Sequence, residues 1–207
     1  MIDALTLWPD ICKRLQPEFN QLYKKKQLHG ALIFVDTETS GFKDADIIEL
    51  GAISVTPPAT RDGDVELDFF CQLIFPYQGY RVSPWATNIH GITSTMLQRH
   101  GHPPFETFQN FIEWIDQKSP AYLVAHCASF DKGMLEKNLL KHGIDYALPK
   151  FLCTVKMAKA LPIKSRKLAF VASYYNFDNQ QAHRAIADAE VCAYIYTQMV
   201  LDGIKQR

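Results

Sequence analysis

The chain has 207 residues, of which 47% are apolar, and its 22 lysine and arginine residues are balanced by 22 aspartate and glutamate residues. At about 100–200 residues per domain, this length predicts one large domain or one domain with an extension. The apolar content excludes general disorder, and the zero net charge excludes a strongly basic protein that coats nucleic acid, although a local basic groove stays compatible with it.

The sequence suggests neither a membrane span nor a secreted protein. Apolar runs such as residues 31–35 and 121–125 fall far short of the roughly 20 residues that a spanning helix needs, and the N-terminus does not resemble a signal peptide. The cysteines are odd in number and widely spaced, which predicts reduced thiols; they are Cys12, Cys71, Cys127, Cys153 and Cys192. We therefore expect a cytoplasmic protein that does not contact membranes.

The first segment, residues 1–29, is interpreted as an N-terminal helical extension ahead of a domain over residues 30–207. Pro17 is expected to open a short helix there, with Phe19 and Leu22 on one face. The sequence leaves open whether this extension packs on the sheet of the domain or binds a partner.

After the extension, short apolar runs alternate with segments of helical periodicity. Turn residues between the second and third runs predict an antiparallel hairpin, whereas helices separate the later strands and favour parallel pairing. A proline- and glycine-rich stretch over residues 76–104 carries no predicted helix or strand. These features predict an α/β fold with a mixed sheet. Strands are predicted at residues 31–35, 47–55, 67–75, 122–125 and 151–153, and helices at 105–115, 132–142, 154–160, 167–176 and 185–202.

An acidic pair follows the first predicted strand. Asp36 and Glu38 lie two residues apart at its end, so the period of a strand places both carboxylates on one face. Two such charges about 4 Å apart repel by roughly 4 kcal/mol at an effective dielectric constant of 20, and bound cations would remove that cost. The alternative, which these two residues leave open, is a solvated strand end.

Two further segments bring acidic residues and histidines to the starts of predicted helices. His126 and Asp131 follow the strand at 122–125. Considered by itself, Asp131 is explained as a residue of the first helical turn, which the helix dipole favours, and His126 is explained as a structural imidazole. His183 and Asp188 frame the start of the last helix. Five residues of helix rotate by roughly 140°, so the two share a site only if His183 lies in the loop before the helix. Unrelated surface positions are the alternative.

The three segments stand in a fixed order, with D-T-E-T-S-G at residues 36–41, H-C-A-S-F-D at 126–131 and H-R-A-I-A-D at 183–188. Over residues 30–203 this pattern resembles the DEDD exonuclease superfamily of histidine type, the group similar to the polymerase III epsilon proofreading subunit. The resemblance implies a ribonuclease H-like fold with a mixed five-stranded sheet and helices on both faces. It also implies stepwise 3′–5′ removal of nucleotides from single-stranded DNA or RNA ends.

The same resemblance implies a catalytic centre. Asp36, Glu38, Asp131 and Asp188 would hold two divalent cations, Mg²⁺ or Mn²⁺, and His183 would act as general base. These roles agree with the chemistry, because two cations about 3.5–4 Å apart can activate water and stabilise the leaving oxygen of a phosphodiester. Both ions prefer oxygen ligands, and a neutral imidazole can accept the proton of the water.

The resemblance further implies a set of substrate-binding residues, which are Thr37, Thr39, Phe42, His90, His126 and Cys127. Phe42 would offer an apolar or stacking surface to the terminal nucleotide. Cys127 is a departure, because the family usually has asparagine there and a thiol is a weaker hydrogen-bonding group. Phe130 is interpreted as a packing residue that orients Asp131.

Other functions stay open at this level. The main alternative is a nucleic-acid-binding or polymerase-accessory module with a vestigial site, and a generic α/β interaction domain would require all three motifs to be coincidence. Lys164, Arg166 and Lys167 could receive phosphates or form a solvated loop. The sequence does not decide the substrate, the pathway or the oligomeric state. Only about four residues follow Gly203, so attachment to a polymerase through a C-terminal tail is unsupported and a free-standing enzyme is expected.

Overall fold

The structure, a computed structural model, describes residues 4–41, 45–60, 62–179 and 181–205. Within these residues, five strands form one mixed sheet in the order β3-β2-β1-β4-β5. All five predicted strands are present; the fourth and fifth have the predicted bounds, and the ends of the first three are shifted by up to four residues. They are β1 (Leu32–Thr39), β2 (Ile47–Thr56), β3 (Glu66–Leu73), β4 (Tyr122–Ala125) and β5 (Phe151–Cys153).

Strand pairing follows the predicted division between hairpins and crossovers. β2 pairs antiparallel with β1 and β3, whereas β4 pairs parallel with β1 and β5. The parallel pairs put the carboxyl ends of β1, β4 and β5 at the same end of the sheet. Glu38 stands opposite Glu49 of β2, and the register shifts directly after Glu38. This carboxyl end therefore receives the acidic residues of β1 and the start of the helix that follows β4.

Helices cover both faces of the sheet, as predicted. They are α1 (Ala4–Lys24), α2 (Pro84–His90), α3 (Ser94–His100), α4 (Pro104–Lys118), α5 (Ala128–Lys141), α6 (Thr154–Met157), α7 (Leu168–Tyr174) and α8 (Ala185–Leu201), with a 3₁₀ turn at Ala158–Ala160. Ile33 and Val35 pack with α4 and α5, whereas Phe34 packs with α1 and α8. The alternation of a strand therefore directs Asp36 and Glu38 toward the α8 side. Across the described residues, none of the helices is both long and apolar enough to traverse a bilayer.

The N-terminal segment forms one long helix that packs on the sheet. The prediction that Pro17 opens this helix is wrong, because α1 begins at Ala4 and contains both Pro9 and Pro17. Burying four large apolar side chains contributes about 6–12 kcal/mol, which offsets the roughly 6 kcal/mol that the two internal prolines cost together at about 3 kcal/mol each. Of the two roles left open for residues 1–29, the structure shows packing on the sheet. The buried stripe consists of Ile11, Leu15, Phe19 and Leu22.

The proline- and glycine-rich stretch contains two short helices, α2 and α3, that the sequence analysis omits. The hydroxyl oxygen of Ser83 accepts a hydrogen bond from the backbone N–H of Ala86 and so caps α2. Thr93 caps α3 in the same way through Met96. Gly91 ends α2 with a φ of 72°, a left-handed conformation that glycine adopts without steric cost. Apolar periodicity over seven residues is too short to reveal such helices.

Replacing Phe19 by alanine is expected to destabilise the protein by about 3–5 kcal/mol, measured by urea unfolding. Phe19 is fully buried, and its ring centre lies 5.5 Å from that of Phe34 on β1. The matched control is Phe170→Ala, which should change the free energy of unfolding by less than about 0.5 kcal/mol because Phe170 is 58% exposed. A loss below about 1 kcal/mol in Phe19→Ala would mean that α1 is only loosely attached.

Candidate active site

The first two motifs meet at the carboxyl end of β1. Asp36 and Glu38 are partly buried there, and Thr37 between them donates a hydrogen bond from its hydroxyl to Oδ1 of Asp131 at 3.1 Å. Asp131 lies in the first turn of α5 and is only 3% exposed. Because α5 begins directly after β4, the parallel neighbour of β1, the fold brings Asp131 beside Asp36.

The third motif reaches the same place through α8. Asp188 lies in the first turn of α8, and its two carboxylate oxygens accept hydrogen bonds from the Asn179 side chain at 2.8 Å and from the backbone N–H of His183 at 3.1 Å. His183 has a left-handed backbone, with a φ of 65°, and an exposed side chain. The structure thus confirms that His183 lies in the loop before the helix.

An ion pair that the sequence analysis missed fixes the start of α8. Glu49 of β2 is fully buried, and both of its oxygens accept hydrogen bonds from Nε of Arg184 at 3.1 Å. The backbone N–H of Ala185 donates to the same carboxylate at 2.9 Å. Gly51 permits this close approach, because a Cβ there would lie 2.4 Å from the backbone of Ala185. Arg184 directly follows His183, so its bond to β2 sets where that histidine stands.

Burial raises the pKa of each acidic side chain of this cluster, and other carboxylates of the cluster raise it further for Asp36 and Glu38. Burial is the main cause for Asp36, whose pKa lies well above its usual range, and the carboxylates of Asp131 and Asp188 raise it further. Burial and the charge of Asp188 raise the pKa of Glu38 to about 8. Burial raises the pKa of Asp131 to about 7, against the opposing effect of the hydrogen bond from Thr37. Burial also raises the pKa of Asp188. The protein therefore compensates these charges only in part.

The donor atoms of this cluster suit a hard divalent cation. Every dominant influence on Asp36 raises its pKa, and none comes from a cationic side chain. Glu38, His183 and Asp188 place potential ligand atoms within 4.8 Å of one another. Carboxylate oxygens are the ligands that Mg²⁺ and Mn²⁺ prefer, and such ions would supply the missing positive charge. Glu38 and Asp188 belong to this group, and the carboxylates of Asp36 and Asp131 are their acidic neighbours.

A cavity of about 180 Å³ opens beside the carboxylates. Of the predicted substrate residues, Thr37, Thr39 and His90 line it, and Glu38 borders it. The remaining wall is largely apolar and includes Trp85 and Ile89 of α2 and Phe130 and Met134 of α5. Trp85 and Phe130 are about half exposed, at 50% and 49%. Their rings are therefore accessible to a flat partner.

Two aromatic residues of the sequence analysis have different outcomes. The interpretation of Phe130 as a packing residue is wrong, because its side chain is exposed and faces the cavity. Asp131, one position later on α5, is the residue that turns inward. Phe42 lies outside the described residues, so its predicted role in substrate binding stays a prediction.

His90 is held in the cavity wall as a neutral ring. Its Nδ1 accepts a hydrogen bond from the backbone N–H of Ile92 at 3.0 Å, so the ring proton lies on Nε2, which is 3.2 Å from the carbonyl oxygen of Thr39. Burial lowers the pKa of His90 and favours this neutral form. His90 therefore ties α2 to the end of β1, and its contact with substrate stays a prediction.

His126 uses both ring nitrogens within the protein. Its Nδ1 lies 2.9 Å from the hydroxyl of Thr154, and its Nε2 lies 2.8 Å from the carbonyl oxygen of Arg166. His126 thus holds the basic loop at residues 164–167, and the predicted contact with substrate would require one of these bonds to open. Cys127 is exposed at the start of α5, and its predicted contact stays untested.

Sequence reasoning missed Glu49, Arg184 and the apolar wall of the cavity. A signal for Glu49 was available, because it is the only charged residue of β2 and a buried charge must be paired. Arg184, next to a motif histidine, was the nearest candidate partner. Trp85 had no comparable signal, because its place in the cavity depends on α2, a helix that the sequence analysis omits.

Comparison with known proteins gives a consistent result. A family model described as Exonuclease, RNase_T, matches residues 33–196. The chain is 31% identical to the PolC-type DNA polymerase III of Listeria innocua over 173 residues, which are 81% of this chain and 11% of that polymerase. It is 29% identical to the PolC-type DNA polymerase III of Bacillus cereus over 192 residues, which are 91% of this chain and 12% of that polymerase. The chain thus spans about a tenth of the length of these curated relatives.

Solved structures show the same fold. The nuclease domain of 3′hExo, described as a DEDDh family member bound to rAMP, matches with a TM-score of 0.71 at 17% identity, over 86% of this chain and 96% of that chain. Exonuclease I of E. coli in complex with a dT13 oligonucleotide matches with a TM-score of 0.69 at 16% identity, over 82% of this chain and 41% of that chain. The ribonuclease H-like fold expected from the sequence is confirmed.

Acidification is expected to stabilise the cation-free protein. The folded-state pKa values of Glu38 and Asp131, about 8 and about 7, lie above those of unfolded carboxyl groups, so the folded state binds protons more tightly. Ionisation of these groups therefore lowers the free energy of unfolding. This loss is absent below about pH 4 and grows as the pH rises toward about 8. The melting temperature in EDTA should therefore fall between pH 5.5 and pH 8, and Mn²⁺ should raise it more at pH 8.

Asp131→Asn removes one of these groups and should make the pH dependence shallower. Asp62→Asn is the matched control, because Asp62 is exposed and its loss should leave the dependence unchanged. A melting temperature in EDTA that rises with pH, or equal dependence in Asp131→Asn and the wild type, would contradict the incomplete compensation of the cluster.

Proposed function

Because the chain belongs to the exonuclease family that the RNase_T model describes, we propose that it is a metal-dependent 3′–5′ exonuclease acting on single-stranded ends. The observation that carries this proposal is the meeting of Asp36, Asp131 and Asp188, from three distant segments, beside a cavity with aromatic walls. A module that only bound nucleic acid would gain nothing from partly compensated carboxylates, since they repel phosphates.

The acidic cluster would hold two divalent cations, Mg²⁺ or Mn²⁺, through Asp36, Glu38, Asp131 and Asp188. When bound, these cations supply Lewis acidity toward the attacking water and the leaving oxygen. The protein orients two of the ligands beforehand, because Thr37 donates a hydrogen bond to Asp131 and Asn179 donates one to Asp188. Such supporting bonds fix the direction in which a carboxylate presents its remaining lone pairs.

His183 is suited to accept the proton of the attacking water. One of its ring nitrogens lies within 4.8 Å of carboxylate oxygens of Glu38 and Asp188, and the ring is exposed on its loop. A neutral imidazole near neutral pH is an effective general base. The water oxygen would bond to the terminal phosphorus as the bond to the 3′ oxygen breaks, which releases one nucleotide monophosphate.

The cavity would take the terminal nucleotide. Trp85 and Phe130 offer ring faces on which any base can stack, and such stacking tolerates any sequence. Glu38 borders the cavity, so a nucleotide seated there would bring its phosphodiester to the carboxylates. Proofreading, repair and RNA processing all agree with this site, and paired DNA and RNA substrates of one sequence would separate the RNA role from the other two.

Replacing His183 by alanine is expected to lower kcat about 10²- to 10⁴-fold with little change in KM, because it removes the proton acceptor. The assay follows mononucleotide release from a 3′-labelled oligonucleotide with Mn²⁺. His29→Ala is the matched control, since His29 is exposed before the start of β1, and it should keep full activity. Asp36→Asn should abolish hydrolysis while circular dichroism stays unchanged. Full activity in His183→Ala, or a wild type that retains the label, would contradict the proposal.

Trp85→Ala and Phe130→Ala are each expected to raise KM about 5- to 150-fold, because stacking contributes about 1–3 kcal/mol per base. The effect on kcat should be smaller, since neither ring would contact the attacking water or the phosphodiester in the proposed arrangement. Phe105→Ala is the matched control, because Phe105 is a similarly exposed aromatic residue, at 46%, outside the cavity. An unchanged KM in both cavity variants would place the terminal base elsewhere.

A further inference from the structure

Positive charge is concentrated in one segment of a chain whose formal net charge is zero. Residues 146–177 contain six basic residues and no acidic residue, although basic and acidic residues are equal in number over the whole chain. The six are Lys150, Lys156, Lys159, Lys164, Arg166 and Lys167. Such a local excess creates a positive field that net charge does not reveal.

Two adjoining grooves collect part of this charge at the open edge of the sheet, where β5 is the edge strand. The first groove, of about 560 Å³, follows β5 and is lined by Lys132, Lys150 and Lys156. The second, of about 600 Å³, shares Lys156 and adds Lys159 and Lys205. Within the described part of the chain, no acidic side chain lines either groove. We call these five residues the lysine strip.

The lysine strip is exposed and little used by the fold. Lys132 contacts Glu136 one helical turn away at 3.5 Å, a surface pair that contributes little. For the other four lysines, no ion pair forms among the residues that the structure describes. Their charges are therefore available to a partner.

The first groove begins beside the carboxylate cluster. Ala128 and Ser129 line it from the first turn of α5, just before Asp131. Cys153 lines it as well, and its thiol donates a hydrogen bond to the carbonyl oxygen of His126 at 3.4 Å. The first turn of α5 therefore borders the groove through Ala128 and Ser129 and contributes Asp131 to the carboxylate cluster.

We propose that the lysine strip binds the phosphate backbone of the nucleic-acid strand upstream of the 3′ end. This inference rests on the proposed function and extends it from the terminal nucleotide to a length of strand. Lysines contact phosphates as point charges on flexible stems and read no sequence, which suits an enzyme that removes one nucleotide after another. Tyr122, 37% exposed in the first groove, adds a ring on which a base can stack. Two connected grooves fit a flexible strand better than the flat surface of a membrane.

The test replaces Lys150, Lys156 and Lys159 together by glutamine. Binding of a single strand of about 20 nucleotides is measured by fluorescence anisotropy in EDTA at several salt concentrations. The slope of log K against log salt should shrink by about 2, because each phosphate contact with a single strand contributes about 0.7. With Mn²⁺, KM for this strand should rise about tenfold at low salt, whereas hydrolysis of a dinucleotide, which is too short to reach the strip, should not change.

The matched control replaces Lys13, Lys24 and Arg99 by glutamine, which removes the same charge from exposed side chains that line neither groove. This control should keep the wild-type slope. An unchanged slope in the strip variant, or an equal loss in the control, overturns the inference. A wild type that hydrolyses neither substrate overturns the proposed function instead, and the slope measured in EDTA still decides whether the strip binds the strand.

Discussion

Four acidic side chains share the carboxyl end of one sheet, and the protein compensates their charges only in part. Two carboxylates about 4 Å apart repel by roughly 4 kcal/mol at an effective dielectric constant of 20, and burial adds to that cost. Thr37, Asn179 and the backbone of His183 donate hydrogen bonds into the cluster, which orients the carboxylates without cancelling their charge. The fold thus gives up local stability for an arrangement that a cation can complete, as is common where function sets the requirement.

Glu49 shows how the same fold treats a carboxylate with a structural role. It stands opposite Glu38 in the β1–β2 register, and it is even more deeply buried. Its carboxylate accepts hydrogen bonds from Arg184 and from the backbone N–H of Ala185, and these bonds anchor the start of α8 to β2. Glu49 and Glu38 are neighbours in the sheet, but Glu49 has a cationic hydrogen-bond partner in Arg184. Because Arg184 follows His183 in the chain, its ion pair with Glu49 positions His183 beside the partly compensated carboxylates.

The sequence predicted the elements whose signals are local. Asp36 follows an apolar run, and the period of a strand assigns it to a face without further information. The start of α1 could not be predicted from local signals. The helix continues through Pro17 because its apolar face is buried against the sheet, where Phe19 packs against Phe34. The exposure of Phe130 was equally hidden, since α5 begins four residues before its predicted start at 132 and so carries Phe130 on its first turn. The sequence of a three-residue strand such as β5 likewise does not indicate that the strand forms the edge of the sheet.

The acidic cluster and the lysine strip adjoin across the first turn of α5, where Asp131 faces inward and Lys132 faces the groove. A phosphodiester chain is repelled by the first and attracted by the second for as long as the carboxylates hold no cation. Bound cations invert the field at the acidic end, because they are the largest local charges in such a site. Strand capture by the strip would then not require divalent cations, although bound cations would strengthen it by removing the repulsion at the acidic end, while hydrolysis would require them. This separation of binding from chemistry follows from where the charges lie, in a chain whose summed charge is zero.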